Sequence, residues 1–203
     1  MTEPSLRERK KIATGRELAL AALELSLARG LAETTVEEIA EHVGYSRRTF
    51  ANHFTCKQEA VVAGFFLRLG MPSARFGTAP SELEIAAPAT VDAIVDAAER
   101  AYTAIFDGDG ASRVVEFGRV VNAEPTLAPF VHQTVFEARR EYRSQLVAAG
   151  MSPSRAALLL GALLCVGGVV VEELLEGELA PVDVSALLAE GLTNVRRGFA
   201  EHP

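Results

Sequence analysis

Apolar residues recur along this chain at helical spacing, and no segment sustains the alternation expected of a strand. Ser5-Leu6-Arg7-Glu8 reads as a capping box behind Pro4. Leu18, Ala22 and Leu25 then fall at i, i+4 and i+7, which predicts a helix to about Arg29, stopped by Gly30. Thr35-Val36-Glu37-Glu38 is a second capping box, and Val36, Ile39, Ala40 and Val43 form the apolar face of a short helix ended by Gly44. Ser46 caps a third helix, expected over residues 46–53, with Phe50 and Phe54 on one side. Val61, Phe65 and Leu69 predict a fourth helix from Lys57.

Residues 71–88 are rich in Pro, Ser, Gly and Ala and read as a long loop or linker at a domain border. Helices are then expected over 89–106, 112–123, 126–149, 153–176 and 183–201. Breaks at Asp107-Gly108-Asp109-Gly110, Glu124-Pro125, Gly150 and Ala180-Pro181 separate them. The expected fold is all-α with about nine helices. A three-helix head covers 1–56, helix 57–70 connects it, and a helical bundle covers 71–203.

Composition changes this picture in three places. The net charge of −7 looks wrong for a nucleic-acid binder, but it is unevenly spread. Residues 1–57 carry nine basic and eight acidic side chains, against 11 and 19 in the remainder. The head also gathers its basic groups into an arm (Arg7, Arg9, Lys10, Lys11) and a pair (Arg47, Arg48), and local sign matters more than total charge for DNA. Second, Cys56 and Cys165 are the only cysteines and form no CxxC pair, so no thiolate metal site is expected; two lone cysteines suit a reducing compartment, and the sequence leaves a disulfide between them open. Cys165 is expected to be a small buried hydrophobe. Third, Ala156 to Val171 is uncharged, but 16 residues are short for a bilayer helix. It is expected to be a bundle helix, with no membrane association. The polar N-terminus has no apolar run behind it, so a cytoplasmic protein without a signal peptide is expected.

The chemistry concentrates in Ser46-Arg47-Arg48-Thr49-Phe50-Ala51-Asn52-His53-Phe54. With Phe50 and Phe54 turned inward, Arg47, Arg48, Ala51 and Asn52 lie outward. Arg can bond guanine O6 and N7 through two hydrogen bonds, and Asn can do the same at adenine N6 and N7. An Arg-Arg pair on a surface helix is usually only solvated. Here two capped short helices joined through a glycine and an upstream basic arm predict a helix-turn-helix that reads DNA.

Residues 30–57, GLAETTVEEIAEHVGYSRRTFANHFTCK, resemble the DNA-binding signature of the TetR family of bacterial regulators. The features that carry the resemblance are Gly30, Thr34-Thr35, Ile39-Ala40, Gly44, Ser46, Thr49-Phe50, His53-Phe54 and Lys57. The resemblance is strong over residues 6–69 and beyond them extends only to length and helical layout. It implies a homodimer that binds a palindromic operator, represses transcription and is released by a small hydrophobic effector. An activator or an architectural DNA-binding protein without an effector is the alternative. The implied base-facing residues are Arg47, Arg48 and Asn52. Thr35, Tyr45, Ser46, Thr49, His53 and Lys57 complete the implied DNA surface. Two positions depart from the family pattern: Ala51 stands where an aromatic is common, and Ser26 replaces a customary Phe.

For the C-terminal part the resemblance implies an effector pocket between helices. Tyr102, Phe106, Arg119, Asn122, Phe136 and Cys165 are candidates, being polar or aromatic residues in apolar helices. The last two helices, 153–176 and 183–201, are the expected dimer contact, because 153–176 is apolar around most of its circumference. No cofactor, metal or enzymatic activity is expected. Residues three before His42, His53, His132 and His202 are Ile39, Phe50, Pro129 and Phe199, so the Glu-x-x-His pairs of a di-iron bundle are missing. HExxH, P-loop and GxSxG motifs are also missing.

Overall fold

A computed structural model describes residues 5–71, 89–178, 180 and 183–199. Apart from Met71, the expected linker 71–88 lies outside the described residues. Nine α-helices and no strand occur among the described residues. They are α1 (Leu6–Arg29), α2 (Val36–His42), α3 (Arg47–Ala51), α4 (Lys57–Arg68), α5 (Val91–Phe106), α6 (Gly110–Ala123), α7 (Ala128–Ala148), α8 (Pro153–Glu176) and α9 (Val184–Phe199). A short 3-10 turn, Pro125–Leu127, precedes α7. Two compact units result: 5–71 with 120–136, and 89–119 with the described residues from 137 onward.

In the first unit both expected capping boxes form. Ser5 accepts from Glu8 N–H while the Glu8 carboxylate accepts from Ser5 N–H at 2.8 Å. Thr35 and Glu38 do the same for α2, with 2.9 Å from Thr35 N–H to the carboxylate. These bonds hold both carboxyls below the usual Glu range. The longest contact in the unit is α1 against α4. It is close because Gly64 has no side chain: a Cβ there would lie 2.1 Å from the carbonyl oxygen of Ala19. Leu18, Leu23, Ile39, Phe50 and Val61 fill the core between α1, α2, α3 and α4. Ser26 is also buried, and its hydroxyl has no partner among the described residues. Burying an unpaired hydroxyl costs about 1–3 kcal/mol.

In the second unit, Ile94 and Val95 of α5, Leu159 and Leu163 of α8, and Leu192 of α9 meet with Leu146 in one cluster. A smaller cluster joins Ala111, Val170, Leu174, Val184 and Leu188. Arg196 on α9 ties α9 to α5 through Asp92 at 2.9 Å and Asp96 at 2.6 Å, two carboxylates one helical turn apart. Helix α8 packs one apolar face and exposes another. It buries Ala156, Leu159, Leu160, Leu163, Gly167, Val170 and Leu174, all on one face. Leu158, Cys165, Gly168 and Val169 are exposed. By length and composition α8 could cross a membrane.

The close α1–α4 packing makes Gly64→Ala a severe change. It is expected to cost about 3 kcal/mol, the upper end for overpacking against backbone, read as a lowered denaturant midpoint. The capping boxes add a dependence on pH. With folded pKa values lowered, their stabilisation is complete above the unfolded Glu range and is lost as pH falls through the folded values. Stability measured between pH 7 and pH 3 is therefore expected to decline less steeply in Glu38→Gln than in the wild type.

Candidate nucleic-acid interface

Helix α3 is built to present one face. The turn before it reverses at Gly44, whose φ of +74° is a left-handed conformation that glycine adopts without penalty. Tyr45 N–H then donates to Ala40 O at 2.8 Å, and Ser46 Oγ accepts from Thr49 N–H at 3.1 Å to cap α3. Phe50 and Phe54 are buried at 1% and 3% exposure, with ring centroids 5.5 Å apart. The regular helix is shorter than the expected 46–53, ending at Ala51. Asn52 N–H is shared between Arg48 O and Thr49 O, and His53 N–H reaches Phe50 O at 2.8 Å. This tightening follows from a run of weak helix formers, Thr49, Phe50, Asn52 and His53, before the next helix begins at Lys57.

The anchored phenylalanines leave Arg47, Arg48, Ala51 and Asn52 exposed on α3. Arg47 forms an exposed ion pair with Glu37 of α2 at 2.9 Å. Thr49 is half-buried, and its hydroxyl shares a 2.9 Å hydrogen bond with that of Ser46. His53 is half-buried beside the Phe54 ring. Tyr45 is also half-buried: its hydroxyl donates to Glu17 at 2.7 Å and accepts from Thr14 at 3.4 Å, tying the turn to α1. Thr35 is exposed at the start of α2. Lys57, at the start of α4, is half-buried. Its ammonium donates to Leu31 O at 2.7 Å, Thr34 O at 2.8 Å and Ala32 O at 3.4 Å. Sequence reasoning missed this cradle because the acceptors are main-chain carbonyls some 25 residues away, which no side-chain pattern marks.

The effector candidates divide between the two units. Asn122 and Phe136 are in the first, both exposed. Tyr102, Phe106, Arg119 and Cys165 are in the second. Tyr102 is half-buried on α5, and its hydroxyl donates to Leu163 O of α8 at 2.6 Å. Gly167 makes room for it, since a Cβ there would lie 2.7 Å from the ring. Burial pushes this phenol up to about 12, so it remains a hydrogen-bond donor at neutral pH. Phe106, one turn on, lines a recess of about 320 Å³ together with Glu99, Thr103, Asp107, Val184 and Leu188. Arg119 is exposed. Cys165 corrects the expectation of a buried hydrophobe, because helical phase sets it on the outward stripe of α8 with Leu158 and Gly168.

The model of the bacterial regulatory proteins of the tetR family matches residues 18–63, from the middle of α1 into α4. The HTH-type transcriptional regulator TcmR of Streptomyces glaucescens is 49% identical over 59 residues. That match spans 29% of this chain and 26% of TcmR, so the likeness covers about a quarter of that relative's length. The family model falls on the capped helices, the glycine turn and the anchored α3, and the N-terminal segment 18–63 is thereby similar to the DNA-binding part of the tetR family of bacterial regulatory proteins.

Proposed function

We propose that this protein is a cytoplasmic, homodimeric transcriptional repressor that reads a palindromic DNA operator with α3. The observation that carries the reading is the exposed strip Arg47, Arg48, Ala51 and Asn52 on a helix whose other side is anchored by Phe50 and Phe54. Arg47, Arg48 and Asn52 meet base edges in the major groove. Thr35, Tyr45, Ser46, Thr49 and His53 meet the sugar-phosphate backbone and fix the register. Ala51 offers only a methyl group, suited to a thymine methyl. The head is residues 1–56 with 57–70 as the connecting helix, and residues 71–203 bind the effector and the second subunit.

The outward face of α8 supports the dimer. Leu158, at 66% exposure, and Val169, at 40%, flank Cys165 and Gly168, and a Cβ at Gly168 would meet nothing within 4 Å. An apolar face of that kind suits a twin copy packed across a two-fold axis, with α9 beside it. Two α3 helices about 34–36 Å apart, or a multiple of that, then meet successive major grooves. The half-buried aromatics Tyr102 and Phe106 and the recess beside Phe106 support a small effector with an apolar body in the second unit. Such a molecule releases the operator by binding better to a dimer with a different spacing.

Arg47→Ala and Arg48→Ala are each expected to weaken operator binding by about 1–3 kcal/mol and to relax preference at one base pair, measured by fluorescence anisotropy on matched and mismatched duplexes. Unchanged binding in both variants would remove α3 from base readout. For the dimer, light scattering is expected to give about twice the 21.7 kDa chain mass for the wild type and the single-chain mass for Leu158→Glu. A Leu158→Glu protein that keeps the wild-type mass would place the dimer contact elsewhere.

A further inference from the structure

Helix α1 reaches well beyond the core it supports. Its buried residues run from Gly15 to Ser26. The two turns ahead of them, Leu6 to Ala13, hold no buried residue and extend about 12 Å. They stay helical because the Ser5–Glu8 capping box closes their end, and because each residue only prolongs a helix already nucleated by packing. These turns carry Arg7, Arg9, Lys10 and Lys11. Their one carboxylate, Glu8, is engaged by the N–H and the hydroxyl of Ser5. Arg7, Lys10 and Lys11 are exposed and form no ion pair among the described residues. Arg7 faces Lys10 at i+3 and Lys11 at i+4, like-charge pairs that weaken a helix. Nothing inside the head compensates for that repulsion, which points to a partner of opposite charge outside it.

Helical phase gives the cations a direction. At about 100° per residue, Arg7, Lys10 and Lys11 fall within about 100° of one another, and Arg9 falls on the other side of the helix. Thr14 continues the stripe, one turn on from Lys10 and Lys11, and its hydroxyl donates to the Tyr45 hydroxyl at 3.4 Å. Tyr45 directly precedes Ser46, the cap of α3. The stripe therefore opens on the side of α1 at which α3 begins.

We propose that Arg7, Lys10 and Lys11 form a second DNA contact, a rigid cationic stripe that grips backbone phosphates beside the groove α3 enters. This rests on the DNA-binding function proposed above. Charge complementarity and continuity with the entry to α3 identify the occupant. A duplex carries one negative charge per about 1.7 Å of axis, so a stripe about 12 Å long spans several phosphates. Exposed, flexible cations on a surface helix fix position and carry no base preference. In a chain of net charge −7, they also bring local attraction to the one face that needs it.

The test uses the full chain and a mixed-sequence duplex of about 40 base pairs, four helical turns. Affinity is measured by fluorescence anisotropy over a series of salt concentrations for the wild type, for the triple variant Arg7→Gln, Lys10→Gln, Lys11→Gln, and for Arg9→Gln. Each lost phosphate contact flattens the slope of log affinity against log salt by about 0.9. The triple variant is expected to lose at least about two units of slope per bound chain, and Arg9→Gln to keep the wild-type slope. Glutamine preserves helix propensity, and the changes relieve like-charge repulsion, so both variants are expected to melt at or above the wild-type temperature. A triple variant with the wild-type slope, an Arg9→Gln slope flattened as much as the triple variant's, or a triple variant that melts below the wild type overturns the stripe. If the wild type binds no duplex at any salt, the DNA-binding function itself fails and the stripe with it. A wild type that binds while the triple variant keeps its slope removes the stripe alone.

Discussion

A five-residue helix has no stability of its own, since nucleation fixes several residues for a single hydrogen bond. Helix α3 exists because Phe50 and Phe54 are seated in the core of the head, and that seating also sets its rotation. Turn α3 by a third of a circle and Arg47, Arg48 and Asn52 would no longer share an exposed strip. Everything proposed for this chain as a reader of DNA depends on that one burial. The supports around it act on the same helix from three sides. Gly44 reverses the chain ahead of it, Ser46 caps it, and the Tyr45 hydroxyl bonded to Glu17 ties its entry to α1.

The second unit is organised around a helix with two apolar faces. One face of α8 packs on α5 and α9, with the Arg196 pairs to Asp92 and Asp96 holding α9 against α5. The other face carries Leu158, Cys165, Gly168 and Val169 to the surface. The Tyr102 hydroxyl on Leu163 O, admitted by Gly167, attaches α5 to the middle of this helix. A change in how α5 packs therefore has a direct mechanical route to the face on which a second subunit is proposed to sit.

Much of the head was legible in the sequence because its determinants are local. A capping box is four residues long, so Ser5 with Glu8 and Thr35 with Glu38 mark their helices without knowledge of the rest. The Phe50 and Phe54 spacing likewise settles which side of α3 faces out. Three features were not legible. The early end of α3 at Ala51 depends on i to i+3 bonds that its weak helix formers allow but do not require. The Lys57 cradle is made of main-chain carbonyls, which have no residue signature. The outward face of Cys165 could not be told from an inward one, because α8 is apolar on both sides and periodicity is silent there. The effector candidates scatter over four helices: Tyr102 is committed to a backbone carbonyl, while Arg119, Asn122 and Phe136 are exposed.

The most direct measurement of the central claim is selection of duplexes from a random pool by the purified chain, followed by sequencing of the bound fraction. If anchored α3 helices present Arg47, Arg48 and Asn52 to base edges in a two-fold assembly, the bound fraction will converge on an inverted repeat. Guanine and adenine will be enriched in each half, with half-site centres about 10 base pairs or a multiple apart. A bound fraction with the composition of the starting pool, held only by salt-sensitive attraction to phosphates, would contradict it.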